Sequence, residues 1–225
     1  DEREGREQDQ MLGMMFPGQG SQSVGMLSSI ADSEPVIRET FDEASRALGY
    51  DLWQLCQQGP EEELSATERT QPAMLAAGVA IWRAWRKRGG RSPSMMAGHS
   101  LGEYSALTAA DALTLEDAVR VVRFRATAMQ EAVPVGVGAM AAVLGLSDDD
   151  VRRACAEAAG EEVVEAVYFN APAQVVIAGN TSAVERACAA AKRLGAKRAV
   201  SLPVSAPFHS SLMRPAGERL RQLLQ

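Results

Sequence analysis

Apolar and polar residues follow different periods along the chain, and the changes of period mark its elements. Met11 to Phe16 is a short apolar run of the kind a buried strand requires. It ends at Pro17-Gly18-Gln19-Gly20, a turn-forming quartet that carries Gln19 into a loop. Helical spacing follows at about Pro35 to Leu48 and Gln71 to Arg88. Met95, Met96 and Ala97 then read as a second short buried strand, running directly into Gly98-His99-Ser100-Leu101-Gly102. Good helix formers fill Glu103 to Ala110. Thr114, with Asp117 three positions on, has the form of a capped helix start, and that helix extends from about Leu115 to Gln130.

From about Val133 the texture changes. Strand-like runs at Ala139 to Leu146, Val163 to Phe169, Val175 to Ala178 and Arg198 to Leu202 are separated by helical patterns at Asp148 to Ala159 and Ser182 to Leu194. The order is βαββαβ, that of a small ferredoxin-like domain. This places a ferredoxin-like subdomain at 133–200 and leaves 11–132 and 201–225 as the core. Residues 1–10, DEREGREQDQ, hold no apolar side chain and read as a disordered leader or an expression remnant.

Strand, turn and helix around Gly98-x-Ser100-x-Gly102 form the pattern of a nucleophile elbow. Glycine on both sides lets strand and helix approach each other around a strained serine. The serine then stands at a helix N-terminus, where free N–H groups and the positive dipole end favour the oxyanion formed when a hydroxyl attacks a carbonyl. The chain has two histidines from which to draw a base. His99 adjoins the serine and, by strand alternation, points to the opposite face, as a structural histidine would. His209 follows Pro203-Val204-Ser205-Ala206-Pro207-Phe208, a loop from which a side chain can return to a catalytic surface, so it is the candidate base.

The helix at 115–130 carries Leu115, Ala118, Val122, Ala126 and Met129 as one apolar stripe. Arg120 and Arg123 fall on the outer face, but Arg125 lies within the width of the stripe. Its neighbours three and four residues away are Val121, Val122, Ala128 and Met129, so no carboxylate of its own helix can pair with it. Two readings stand. The stem packs while the head reaches solvent or a distant acid, or the guanidinium holds a substrate carboxylate with two hydrogen bonds.

Composition narrows the class of function. With 225 residues, 46% of them hydrophobic, the chain can bury a substantial core in one large domain or in a core with an insert. No stretch is apolar enough to cross a bilayer, and no signal-peptide pattern is seen, so the expected location is cytoplasmic, with no membrane partner. A net charge of −6 argues against nucleic acid. Two local basic clusters, Arg83/Arg86/Lys87/Arg88/Arg91 and Lys192/Arg193/Lys197/Arg198, either complement helix C-termini or dock an acidic partner. Cys56, Cys155 and Cys188 are odd in number and widely spaced, which suggests buried thiols in place of a disulfide framework or zinc site. With no extra apolar stripe asking for a partner, the expected state is a monomer.

Phe16-Pro-Gly-Gln-Gly-Ser-Gln22, Thr70-Gln-Pro-Ala73, Gly98-His-Ser-Leu-Gly-Glu-Tyr104, Arg125 before Met129-Gln-Glu-Ala132, and Phe208-His209 occur in the order in which similar motifs occur in the malonyl-CoA:acyl-carrier-protein transacylase family, which the chain resembles from about Met11 to its last residue. The resemblance implies an α/β fold, with a hydrolase-like core built on a parallel sheet and an inserted ferredoxin-like subdomain. It implies Ser100 as the acylated nucleophile, His209 as base and acid, backbone N–H groups of Gln19 and Leu101 as the oxyanion hole, and Arg125 as the clamp on the malonyl carboxylate. The partners implied are malonyl-CoA and acyl carrier protein, with no metal or redox cofactor, in fatty-acid synthesis. Phe208-His209 resembles the malonyl-selecting form of this loop. The family's domain also continues past the position of Gln225, with further strands and a Gly-rich turn near the catalytic histidine.

A polyketide-pathway acyltransferase stays open as an alternative, as does a serine hydrolase or thioesterase sharing the elbow. A third reading is a fold that binds carrier protein or coenzyme A without turnover. Against the hydrolase, which would place an acid between Ser100 and His209, the acids near the end of that interval (Glu161, Glu162, Glu165, Glu185) belong to the small subdomain's pattern, and Arg125 has no role there.

Overall fold

The computed structural model describes residues 11–225, so the expectation for 1–10 lies outside the described residues. The architecture is mixed α/β, and the chain divides into two compact units, one ending at Phe124 and one beginning at Arg125.

In the first unit, β1 (Gly13–Phe16) pairs in parallel with β2 (Met95–Gly98), with Phe16 opposite Gly98. Parallel neighbours need a long crossover. Here it is helical: α1 (Ser28–Ala31), α2 (Pro35–Leu48), α3 (Leu52–Gln58), α4 (Glu61–Ser65) and α5 (Thr67–Lys87). Helix α2 occupies the residues that the apolar period predicts, because both ends are punctuated. Pro35 takes a first-turn position, and Gly49 adopts the left-handed C-cap at φ 77°. Its buried stripe, Ile37, Phe41, Ala44 and Leu48, joins Leu75, Val79 and Ala80 of α5 in the main core. Helix α5 begins four residues before the predicted start. Helices α3 and α4 were not foreseen: α3 is short, and is set by Asp51, whose carboxylate accepts the Gln54 N–H at 2.8 Å.

Two further helices follow β2, α6 (Gly102–Ala109) and α7 (Leu115–Glu131). Thr114 caps α7 as expected, its hydroxyl accepting the Asp117 N–H at 3.1 Å and donating to the Asp117 carboxylate at 2.8 Å. The predicted stripe of Leu115, Ala118, Val122, Ala126 and Met129 is buried throughout.

The second unit holds a four-stranded antiparallel sheet in the order β4-β5-β3-β6, made by β3 (Gly138–Leu144), β4 (Val164–Ala171), β5 (Gln174–Asn180) and β6 (Arg198–Ser201). Helices α8 (Asp148–Ala159) and α9 (Thr181–Arg193) bury Val151, Ala154, Val184 and Ala187 with Val143 of β3 and Val175 and Ile177 of β5. A 3₁₀ turn (Ser211–Met213) and α10 (Arg214–Leu223) follow.

The charged and thiol groups take mostly bland positions. Arg83 pairs with Glu43 at 2.7 Å and Arg88 with Glu34 at 2.6 Å, while Arg86 donates to the Gly90 carbonyl and to Ser92. Arg193 pairs with Glu157. These members of the basic clusters therefore tie helix ends to neighbouring acids and carbonyls. All three cysteines are free. Cys56 and Cys155 are buried, but Cys188 is only half-buried, a correction to the expectation of three buried thiols. Burial pushes the Cys56 thiol up to about 12 and that of Cys155 to about 11.

Candidate active site

Because β1 and β2 are parallel and in register, the loops leaving them emerge at the same end of the ribbon. The Pro17–Gly20 loop leaves β1 after Phe16, and the elbow leaves β2 after Gly98. They are joined directly: the His99 N–H donates to the Phe16 carbonyl at 3.0 Å, and a Cβ placed on Gly18 would lie 2.9 Å from the His99 carbonyl oxygen. This juxtaposition brings Gln19, Ser100 and Leu101 to one edge of the first unit.

Ser100 adopts φ 54°, a left-handed conformation that costs a non-glycine residue about 1–2 kcal/mol. The turn is closed by the Gly102 N–H donating to the His99 carbonyl at 2.9 Å and the Glu103 N–H to the Ser100 carbonyl at 3.2 Å. Both flanking glycines are sterically required. A Cβ on Gly98 would lie 1.9 Å from the carbonyl carbon of Gly102, and one on Gly102 would lie 2.2 Å from the Phe16 oxygen. Strand and helix are thus in backbone contact around the serine, as the elbow pattern predicts. Ser100 is half-exposed, whereas the Leu101 side chain is buried, anchoring the first turn of α6. His99 is exposed.

In the second unit, Arg125 and His209 line one cavity of about 150 Å³, together with Met129, Met213, Ala216 and Leu220. Arg125 is 9% exposed, which disfavours a head reaching solvent and leaves a distant acid and a substrate carboxylate as the two readings of its helical position. The cavity wall is otherwise apolar, so an anion entering it would meet a guanidinium in a poorly solvated setting. His209 is exposed at the tip of its turn and adopts φ 64°. That turn is held by the Phe208 N–H donating to the Ala206 carbonyl at 3.0 Å and by Ser210, whose hydroxyl donates to the Pro207 carbonyl at 2.7 Å.

Two further residues stand near His209: Tyr168, which has no signal in the sequence, and Glu165, which the chain's pattern assigns to the small subdomain alone. The Tyr168 ring lies 5.0 Å from the imidazole, tilted by 58°, and Glu165 accepts the Ser211 N–H at 2.6 Å. Both come from β4, more than forty positions away in the chain, with no local signal to announce them. Among the described residues no group of three or more His, Cys, Asp or Glu side chains is placed to hold a metal ion, and no helix is long and apolar enough to cross a membrane.

Comparison with known proteins gives a consistent picture. Residues 14–225 match the acyl transferase domain family. The malonyl CoA-acyl carrier protein transacylase of Escherichia coli (strain K12) is 61% identical over 206 residues, which cover 92% of this chain and 67% of that protein. A crystal structure of an acyl carrier protein S-malonyltransferase from Vibrio cholerae superposes with a TM-score of 0.92 at 54% identity, covering 95% of this chain and 70% of that one. A malonyl-transacylase solved in complex with its type II PKS acyl-carrier protein gives a TM-score of 0.94 at 56% identity, covering 95% and 69%.

Proposed function

The chain belongs to the acyl transferase domain family, and from that membership we propose that it transfers the malonyl group of malonyl-CoA to the pantetheine thiol of an acyl carrier protein. The observation that supports the acyl specificity is the small cavity lined by the buried Arg125 and the exposed His209. A substrate carboxylate there would meet a guanidinium able to bind it with two hydrogen bonds, which neutral acyl groups cannot exploit.

The chemistry is two half-reactions. His209 takes the proton of the Ser100 hydroxyl as its oxygen attacks the thioester carbonyl, and the electron pair moves onto oxygen. The N–H groups of Leu101 and Gln19 receive that charge, with Leu101 placed at the start of α6, where unpaired N–H groups are available. The C–S bond then breaks, and the coenzyme A sulfur leaves with the proton returned by His209. The carrier's thiol repeats the sequence on the Ser100 ester: it gives its proton to His209, attacks, and leaves a new thioester with Ser100 reprotonated. Every proton and electron pair is accounted for without a cofactor.

Residues 11–132 and 201–225 are read as a hydrolase-like core and 133–200 as an inserted ferredoxin-like subdomain. The parallel β1–β2 pair with its elbow supports the first, and the β4-β5-β3-β6 order with α8 and α9 on one sheet supports the second. Three free thiols fit a reducing compartment such as the cytoplasm. Fatty-acid synthesis is the expected setting. The type II PKS complex at 56% identity keeps a polyketide carrier as the second reading.

Intact-mass measurement after incubation with malonyl-CoA tests the proposal. A malonyl ester on Ser100 adds about 86 Da, is absent in Ser100→Ala, and disappears when carrier protein is added, with malonyl-carrier appearing in its place. Malonic acid release without carrier loading would assign a hydrolase instead.

A further inference from the structure

We propose that Tyr168 and Glu165 of β4 are positioning residues for His209, together fixing the imidazole plane and the turn that presents it. The inference rests on the reading of His209 as the general base.

A regular strand sends residues three apart to opposite faces, so Glu165 and Tyr168 would ordinarily diverge. Here the pairing with β5 shifts between Ala166 and Tyr168. Ala166 stands opposite Ile177 and Tyr168 opposite the next residue, Val176, leaving Val167 as an extra residue on β4. One inserted residue reverses the facing of everything after it. The bulge thus returns Tyr168 to the side Glu165 occupies, and both reach the same turn: Glu165 accepts the N–H of Ser211, two residues after His209, while the Tyr168 ring lies 5.0 Å from the imidazole at a 58° tilt.

His209 needs such support. Its φ of 64° is a conformation that non-glycine residues keep only when their surroundings impose it. Contacts from a sheet strand supply a rigid reference outside the turn. A ring at this separation and tilt is in the favourable range for aromatic pairs, and it restricts rotation of the imidazole about its Cβ–Cγ bond. The consequence for catalysis is orientational: a nitrogen held on the line of proton transfer changes turnover without changing how tightly malonyl-CoA binds.

The experiment compares Tyr168→Phe, Tyr168→Met, Glu165→Gln and Glu165→Ala with the parent chain, each checked for a parental melting transition. Tyr168→Met is expected to lower kcat by about tenfold with KM for malonyl-CoA changed less than about twofold, and Tyr168→Phe to restore kcat, since the ring and not the hydroxyl does the positioning. Glu165→Gln, which retains an acceptor for the Ser211 N–H, should resemble the parent, while Glu165→Ala loses kcat. In proton spectra the His209 imidazole signal, identified by its disappearance in His209→Ala, should move on Tyr168→Met as the ring current is removed, and hold its place in Tyr168→Phe. An unmoved signal with unchanged kcat in Tyr168→Met overturns the proposal. If Tyr168→Met fails to melt like the parent, Glu165→Ala against Glu165→Gln decides by the same split. Normal acylation of Ser100 in His209→Ala would instead remove the reading of His209 as base, a result distinct from failure of the β4 contacts.

Discussion

A Cβ on Gly98 would sit 1.9 Å from the carbonyl carbon of Gly102, so the backbone of the second glycine flanking Ser100 is the steric limit on the first. Gly98→Ala therefore cannot be accommodated by rotating a side chain, because the obstacle is backbone. It is expected to destabilise the chain by about 3 kcal/mol, at the upper end for overpacking, and to abolish acylation of Ser100. Urea denaturation and intact-mass labelling read the two effects separately.

Ser100 at φ 54° predicts a divergence between two inactive variants. Ser100→Ala and Ser100→Gly both lack the proposed nucleophile, but only glycine adopts this backbone conformation without penalty. Ser100→Gly should be the more stable by about 1 kcal/mol, after allowing for glycine's greater freedom in the unfolded chain. Urea midpoints of the two variants supply the comparison. Equal midpoints would mean that the turn relaxes once the hydroxyl is gone.

Arg125→Ala is expected to raise KM for malonyl-CoA or lower its kcat/KM by about a hundredfold, the scale of a lost charge-assisted pair, while acetyl-CoA, which has no free carboxylate, is affected far less. Hydrolysis of the acyl-enzyme should rise in this variant, because under the proposed clamp the malonyl carboxylate would occupy space that water would otherwise use. Arg125→Lys should not rescue fully, since an ammonium cannot reproduce the two-pronged contact.

Stability should fall as the pH rises above about 9. The Cys56 thiol is raised by burial from its ordinary value of 9.0 to about 12. The folded state thus holds a proton that the unfolded chain releases earlier. The contribution is complete below the unfolded pKa and is lost as the pH climbs toward 12. Cys155, raised to about 11, adds in the same direction. Urea midpoints measured between pH 8 and 11 should decline, and less steeply in Cys56→Ala, even though that variant starts from a lower value through its small cavity.

Thr114→Ala removes the side chain that both accepts the Asp117 N–H and donates to its carboxylate, and should cost about 1 kcal/mol. A fall in the urea midpoint with kcat retained is the expected result.

The elements legible in the sequence are those with punctuation at their ends. Helix α8 begins after Ser147, whose hydroxyl accepts the Asp150 N–H, and α2 lies between Pro35 and Gly49; in both, the predicted bounds match the observed ones. Helices α3 and α4 are too short for a period to register, and α10 has a glycine in its interior and a single buried residue, Ala216, so its pattern is faint. The elbow could be read because its chemistry is local: five consecutive residues contain the strain, the glycines and the helix start. Arg125 could be read because an arginine breaks an apolar stripe. The left-handed turn at His209 and its support from β4 could not, since they depend on pairing and a bulge that link residues far apart in the chain.

A protein that passes acyl groups from thiol to thiol must not become a resting place for them. Any thiolate of its own within reach would exchange with the incoming thioester and hold the cargo as a dead-end adduct. By keeping Cys56 and Cys155 buried and protonated through the physiological range, the fold leaves the half-exposed Cys188, whose thiol is also raised by burial, as the remaining internal competitor. The same packing that stabilises the two units therefore acts as a filter on side reactions in a chemistry conducted from one thiol to another.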